Sequence, residues 1–242
     1  MHNFFIGELL GSMTLIVFGG GVVATVLLEK SKGEGGGWIC ITIGWGFAVM
    51  LGVFVAQASG SMQADINPAV TLAKYWLNIH HSIPQVLERI LAELIGCFLG
   101  GVIVWLAYLP HWKVTENKRH KLMVFSTSPE IKHTFGNLLC EIIGTFILVM
   151  GLGALFCNQH ISQGIAPYFV GLLVWAIGLS LGGPTGYAIN PARDLGPRLA
   201  HAVLPIAGKG TSEWHYAWVP IVGPIIGTVL GVALWAGVFV RF

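Results

Sequence analysis

Charged residues are scarce in this sequence. Asp, Glu, Lys and Arg make up 10% of its 242 residues, whereas an average soluble domain has about 25%. Hydrophobic residues make up 55%, and the mean hydropathy is +0.74. A soluble fold would have too little polar surface, so the composition predicts a polytopic membrane protein. The net charge of +2 gives no signal of nucleic-acid binding.

Other chemical signatures are also missing. The cysteines form no Cys-x-x-Cys pair, and the nine histidines show no metal-ligand spacing, so no metal or other cofactor is predicted. His80 and His81 are interpreted as a loop pair. No Lys or Arg precedes the first apolar run, which therefore resembles a membrane helix more than a cleaved signal peptide. All four cysteines lie in apolar segments, where a packing role is expected: Cys40, Cys97, Cys140 and Cys157.

Long apolar runs take the place of charge. A spanning helix needs about 20 apolar residues. Six stretches are predicted to span: Phe4–Leu28, Trp38–Ala58, Ser82–Leu109, Phe135–Cys157, Ile165–Gly182 and Trp218–Val240. The second and the fifth stretch each lead into an apolar segment that is too short to span. We expect each of these segments to be a half-helix that re-enters the membrane, with its irregular backbone buried in protein or lining a wet cavity.

Both short segments begin with the same triplet. Asn67-Pro68-Ala69 occurs in the first half of the chain, and Asn190-Pro191-Ala192 in the second. Asn is a good N-cap, because its side-chain oxygen accepts a backbone N–H that the first turn leaves unpaired. Proline fits the first helical position, where no N–H is needed. The triplets therefore predict two short helices that meet at one site, each with its positive dipole end at the Asn.

The two halves of the chain repeat. Gly7-Glu8 and the residues up to Gly11 match Cys140-Glu141 and the residues up to Gly144, and each half contains one Asn-Pro-Ala triplet. Three spans per copy is an odd number, so the second copy must be inserted upside down, with a working site near the midplane. We expect one channel domain over residues 1–242, with repeats at about 1–109 and 135–242 joined by a loop at 110–134. Small-xxx-small glycine spacings at Gly96 and Gly227 predict close helix packing.

Paired Asn-Pro-Ala triplets in inverted three-helix repeats resemble the aquaporins, or major intrinsic proteins. The resemblance extends from Phe4 to Val240, and the stretch from Gly186 to Arg198 is most similar to the bacterial glycerol facilitator branch. It implies an all-α polytopic membrane protein, namely an aquaporin-like right-handed bundle of six transmembrane helices plus two re-entrant half-helices.

The resemblance also assigns roles to individual residues. It places Trp45, Gly178, Tyr187 and Arg193 in a selectivity filter on the extracellular side. It implies that the side-chain amides of Asn67 and Asn190 face the solute. Carbonyl groups expected to line the pore belong to Gly186, Tyr187 and Ala188, and the carboxylates expected to support the loops belong to Glu8, Glu141 and Asp194. Asp194 and Arg198 also fit positions of the polyol-conducting branch.

These filter residues suit a neutral polyol. Trp45 and Tyr187 can supply an apolar corner for the carbon edge of glycerol. Arg193 supplies fixed donors that are never deprotonated, or alternatively forms a structural ion pair with Asp194. Gly178 is expected to leave room in the pore. Positive helix ends and Arg193 together would repel cations and protons.

The first loop departs from the family pattern. Ser-Gly-Ala-His, one apolar residue and Asn-Pro-Ala are usual, whereas Ser59-Gly60 is followed here by Ser-Met-Gln-Ala-Asp65-Ile66-Asn67. Two residues are added, and Asp65 stands where His is expected. We expect the carboxylate of Asp65 to accept N–H groups from its own loop; the alternative is a pore-facing charge. Tyr187 replaces the more usual Phe, and its hydroxyl either narrows the filter or adds a hydrogen bond.

The charge distribution and the family give opposite orientations. Lys74, Arg89 and Arg241 lie on the side of the termini, and the other ten of the 13 Lys and Arg residues lie on the opposite side. A positive-inside count therefore places the termini outside. Family topology places them in the cytoplasm, with the 110–134 loop extracellular. We adopt the family orientation, because the inverted half-helices determine which vestibule carries Arg193.

The sequence thus predicts a non-enzymatic, passive channel for glycerol, water and other small uncharged solutes, which excludes ions and protons. Its expected setting is the lipid bilayer of a bacterial inner (plasma) membrane, and by resemblance it is a homotetramer. One alternative is a channel chiefly for small neutral molecules such as protonated lactic acid or dihydroxyacetone. Alternatives of another class are a secondary transporter with inverted repeats and a non-conducting scaffold protein.

Overall fold

A computed structural model describes residues 4–80, 82–157, 161–162 and 164–238, and all regular secondary structure in these ranges is helical. The helices are α1 (Phe4–Leu27), α2 (Gly37–Ala58), α3 (Pro68–Trp76), α4 (Ile83–Ala107), α5 (Leu109–Val114), α6 (Lys118–Met123), α7 (Thr134–Cys157), α8 (Ala166–Leu181), α9 (Pro191–Val203) and α10 (Val219–Val238). The interpretations of His81 and Arg241, and the predicted end of the last span at Val240, lie outside these residues.

Each of the six predicted spans contains a helix. Five of these helices have 20 to 25 residues and are apolar enough to cross a membrane. α8 is shorter, at 16 residues, which gives a length of about 24 Å. The third predicted span was too long at both ends, because Ser82 caps α4 through its side chain and Leu109 already belongs to α5.

The 110–134 segment is not simply a loop. It contains α6 and most of α5, two six-residue helices that the sequence analysis missed. Trp112 of α5 is buried, and its ring packs 5.6 Å from that of Phe125, measured between centroids. Both short helices therefore fold because they cover the end of the bundle, and neither is long enough to be stable alone.

Helix packing follows the two halves of the chain. α1 packs against α2 and α4, and α7 packs against α8 and α10. The halves join where α2 packs against α8, α4 against α9, and α3 against α10. Each short helix thus packs against a long helix of the other half, so that α3 and α9 lie between the two sets.

Glycines allow α1 to approach α4 and α7 to approach α10. A Cβ at Gly96 of α4 would lie 2.2 Å from the carbonyl oxygen of Leu9, and one at Gly227 of α10 would lie 2.4 Å from that of Ile142. No side chain fits at such distances from rigid backbone. The matched positions show that the two halves use the same close backbone contact.

We expect Gly96→Ala to separate α1 from α4 and to lower the free energy of unfolding by about 1–3 kcal/mol, the usual cost of overpacking. The melting temperature of the detergent-solubilised protein, followed by fluorescence-detected gel filtration, measures this. Gly21→Ala is the matched control, because a Cβ at that helical glycine has nothing within 4 Å. Equal melting temperatures for the two variants would contradict the interpretation.

Candidate functional site

The two half-helices meet at their N-termini, as the paired triplets predict. The side-chain amide nitrogen of Asn67 donates to the carbonyl of Ile189 at 2.9 Å, and that of Asn190 donates to the carbonyl of Ile66 at 2.8 Å. Each Asn oxygen caps its own helix: that of Asn67 accepts the N–H of Ala69, and that of Asn190 accepts the N–H of Ala192. The junction is therefore held by two reciprocal hydrogen bonds between the halves and one cap within each half-helix, and the two prolines have no N–H that needs an acceptor.

Each Asn amide retains a donor at the junction. An amide nitrogen carries two N–H groups, and only one of them has a hydrogen-bond partner among residues 4–80, 82–157, 161–162 and 164–238. Both Asn67 and Asn190 line a cavity of about 560 Å³. The remaining N–H groups are thus available to a molecule in that cavity.

Two buried carboxylates hold the loops that precede the half-helices. Glu8 accepts the backbone N–H groups of Asp65 at 3.1 Å and Ile66 at 2.7 Å, together with the hydroxyl of Ser61 at 2.6 Å. Glu8 therefore satisfies donors that have no helical partner at this depth.

Glu141 repeats this arrangement in the second half. It accepts the N–H groups of Ala188 at 3.0 Å and Ile189 at 2.9 Å, and the hydroxyl of Thr185 at 2.7 Å. Both loops have the same backbone shape, with alternate residues in the left-handed region: Ala64, Ile66, Tyr187 and Ile189. The left-handed backbone and the carboxylate together determine the path of each loop into its half-helix.

A constriction separates the large cavity from a smaller one of about 40 Å³. Trp45, Tyr187 and Arg193 line both cavities. The guanidinium carbon of Arg193 lies 4.0 Å from the centroid of the Trp45 ring. Three of the four predicted filter residues therefore lie together where the two cavities meet.

Gly178, the fourth predicted filter residue, does not lie with the other three at the constriction. Gly178 lines neither cavity. A Cβ there would lie 2.6 Å from Cζ of Tyr187, so the missing side chain makes room for the phenol ring. Trp38, which the sequence analysis missed, donates from its indole to the carbonyl of Gly178 at 3.1 Å and meets the Tyr187 ring edge-on.

Arg193 is not paired with Asp194. The Asp194 carboxylate instead accepts from Arg198 at 2.8 Å and from the backbone N–H and hydroxyl of Thr127. Among the described residues, the guanidinium of Arg193 has no hydrogen bond or ion pair, although its backbone N–H bonds to Asn190. Its donors are therefore available at the constriction, while Asp194 holds the segment around Thr127.

The carbonyls of Gly186, Tyr187 and Ala188 belong to the loop beside the constriction. Tyr187 and Ala188 line the large cavity, and Gly186 lines the small one. Gly186 has a φ of 84° and Tyr187 a φ of 37°, so the chain turns sharply here. That these carbonyls accept hydrogen bonds from a solute stays a prediction.

Asp65 makes different contacts from those expected. In the described part of the chain, its carboxylate oxygens accept no hydrogen bond from the backbone of its own loop, and their partners are side chains. Lys74 forms an ion pair with it, His80 Nε2 lies 2.6 Å from Oδ2, and Arg89 lies 3.7 Å away. The expectation that the Asp65 carboxylate bonds to its own loop was wrong, because cationic side chains from α3, α4 and their connection surround it instead.

Comparison with known proteins places this geometry in a family. The model of the major intrinsic protein family matches residues 1–235. A probable glycerol uptake facilitator protein of Thermotoga maritima is 52% identical over 236 residues, covering 97% of this chain and 99% of that protein. The D/L-lactic acid transporter of Lactiplantibacillus plantarum is 39% identical, with 90% of each chain covered. The X-ray structure of the aquaglyceroporin from Plasmodium falciparum superposes with a TM-score of 0.83 at 28% identity, covering 97% of this chain and 95% of that one.

We expect Asp65→Asn to reduce the yield of folded protein and its free energy of unfolding by about 3 kcal/mol or more, because Lys74 and Arg89 would lose a buried counter-charge. Fluorescence-detected gel filtration measures both yield and melting temperature. The control is Glu130→Gln, which breaks an ion pair with Arg119 whose side chains are 38% and 58% exposed; such a pair contributes about 0–1 kcal/mol. If the two variants behave alike, Asp65 has no structural role.

Proposed function

The chain belongs to the major intrinsic protein family, and from this membership we propose that it is a passive channel for glycerol, water and other small uncharged solutes. The observation that carries the proposal is the constriction, where the unpaired guanidinium of Arg193 lies beside the rings of Trp45 and Tyr187. The Thermotoga maritima relative, whose name describes a probable glycerol uptake facilitator, supports glycerol as the main solute.

The geometry explains how a neutral polyol could pass. At the constriction, Arg193 donates to the hydroxyl edge and the aromatic rings contact the carbon edge. Beyond it, the free N–H groups of Asn67 and Asn190 replace water as donors. Much of the lining of the cavity is apolar, with residues such as Leu15, Val53, Leu148 and Val174. A solute that exchanges water for these donors loses little free energy, whereas an ion would lose its hydration.

Electrostatics add to the exclusion of cations. The N-termini of α3 and α9 meet at the junction, so their positive dipole ends face the same point. Arg193 adds a full charge on the side of α9. We therefore infer that protons and metal cations meet a barrier at the junction and a second barrier at the constriction.

Protonated lactic acid is a second candidate solute. The Lactiplantibacillus plantarum relative at 39% identity is named a D/L-lactic acid transporter, and neutral lactic acid has hydroxyl and carbon edges like those of glycerol. The anion would be attracted by Arg193, but its carboxylate would have to be desolvated in a mostly apolar passage. Dependence on an ion gradient would instead indicate a secondary transporter, and absence of all flux a scaffold protein.

The wider setting is also proposed. We infer a single channel domain with inverted repeats, both termini in the cytoplasm, and the 110–134 segment outside a bacterial plasma membrane. Contacts of Thr115 and Glu116 with the α1–α2 connection support placing both segments on one face. From the family resemblance we also infer a homotetramer, which native mass spectrometry from lipid nanodiscs tests.

Stopped-flow light scattering with proteoliposomes tests glycerol conduction and the role of Arg193. Wild-type protein should pass glycerol at least roughly tenfold faster than a four-carbon polyol, the discrimination that one extra carbon unit can give in a fitted site. Arg193→Ala should lose that ratio or leak protons, because it widens the constriction and removes its charge. Arg119→Ala is the control, because it removes an arginine that lines neither cavity. An Arg193→Ala channel with the wild-type ratio and no leak would exclude Arg193 from the filter.

The pH dependence of flux separates the two candidate solutes. Lactic acid has a pKa of about 4, so its neutral fraction, and hence its flux, should fall roughly tenfold per pH unit above that value. Glycerol flux should be nearly constant, because glycerol does not titrate in this range. Isotope flux into proteoliposomes between pH 4 and pH 7 measures both. A lactate flux that does not change with pH would show conduction of the anion, and no glycerol flux at any pH would reject the glycerol assignment.

A further inference from the structure

A second cationic side chain lies in the large cavity, on the far side of the junction from Arg193. Lys74 of α3 lines this cavity although it is only 5% exposed. α3 and α9 meet at their N-termini and run in opposite directions from Asn67 and Asn190. Lys74 is seven residues along α3, about 10 Å from the junction. The cavity therefore has a cation towards each end.

One of the three N–H groups of the Lys74 ammonium is left without a hydrogen-bond partner in the described residues. Its ammonium group donates to the carbonyl of Gln63 at 2.6 Å and pairs with Asp65. An ammonium carries three N–H groups, and the third has no hydrogen-bond partner within the described residues. The ring of Phe156 faces the ammonium group, with its centroid 6.0 Å from Nζ. Phe156 also lines the cavity.

We propose that Lys74 and Phe156 form an inner binding site for small polyols, at the mouth opposite the constriction. The third N–H of Lys74 donates to a solute hydroxyl, and the second lone pair of the Gln63 carbonyl accepts from a neighbouring hydroxyl. The ring of Phe156 contacts the carbon edge. This site deepens the proposed function, on which it rests.

The pairing with Asp65 determines which solutes the inner site prefers. Asp65 neutralises the charge of Lys74, and its own position is fixed by His80 and Thr71. A neutralised ammonium remains a good hydrogen-bond donor, but it offers little net attraction to an anion. The inner site therefore suits neutral hydroxyl compounds and discriminates against carboxylates, which the desolvation cost already disfavours.

The inner site resembles the constriction in its chemistry. Arg193 lies beside Trp45 at one end of the cavity, and Lys74 faces Phe156 at the other. In both places a cationic donor and an aromatic ring are within reach of a molecule that has one polar edge and one apolar edge. A polyol that leaves the junction can thus exchange one set of partners for another before it is fully hydrated.

Glycerol and water permeabilities of the same proteoliposomes test this site. Lys74→Met should lower glycerol permeability relative to water permeability by about three- to tenfold, the effect of one net hydrogen bond. Lys74→Arg, which keeps the donor and the ion pair, should restore most of the glycerol flux. Lys32→Met is the matched control, because it removes an exposed lysine from the opposite face.

A second variant keeps the test decisive if Lys74→Met does not assemble. Phe156→Ala leaves the Asp65 cluster intact and should also lower glycerol permeability relative to water. A wild-type ratio of glycerol to water permeability in every variant that assembles would overturn the inner site. A parallel fall of both permeabilities would also overturn it, because such a fall indicates a structural role only. Failure of the proposed function shows separately, as absence of glycerol flux in the wild-type arm.

Discussion

An unpaired backbone N–H in the middle of a membrane costs several kcal/mol, because no water is available to it. The rest of this structure depends on how that cost is avoided in the two loops that precede α3 and α9, which end in the middle of the membrane. Glu8 and Glu141 are fully buried, and each accepts two successive loop amides and one hydroxyl. Because the carboxylate accepts the N–H groups of each loop, the loop can continue to the Asn that caps its half-helix. The polar junction of the two Asn residues can then face a cavity.

The two halves use this device with different reinforcement. In the first half, Arg89 bonds to Glu8 at 2.7 Å, and Asp65 joins Lys74 and His80 to the loop. In the second half, no cation pairs with Glu141 in the described ranges, and the ionic contacts lie further along α9, between Asp194 and Arg198. Two ends of one pore are thus stiffened by separate charge clusters.

Features that the sequence marks by a repeated or periodic pattern could be predicted, whereas the partners of individual side chains could not. The spans follow from the length of apolar runs, and the half-helices from cap-plus-proline triplets, since both signals are short. The partners of Asp65 could not be predicted, because Lys74, His80 and Arg89 come from three successive parts of the fold. Nor could Trp38, which lies 140 residues from Gly178, be linked to the filter. The six-residue helices α5 and α6 have too little periodic pattern to be recognised before they pack.

The reciprocal bonds at the junction also bear on how the protein is made. Asn67 donates to a carbonyl 122 residues later in the chain. A ribosome adds about 5–20 residues per second, so roughly 6–24 s pass between synthesis of the donor and of its acceptor. During that interval the side-chain amide of Asn67 has no access to its acceptor, the carbonyl of Ile189. Within the described residues, the side chains that contact Asp65 come from residues 71–89, so this buried cluster can form early and hold the first half in place until the second half is made.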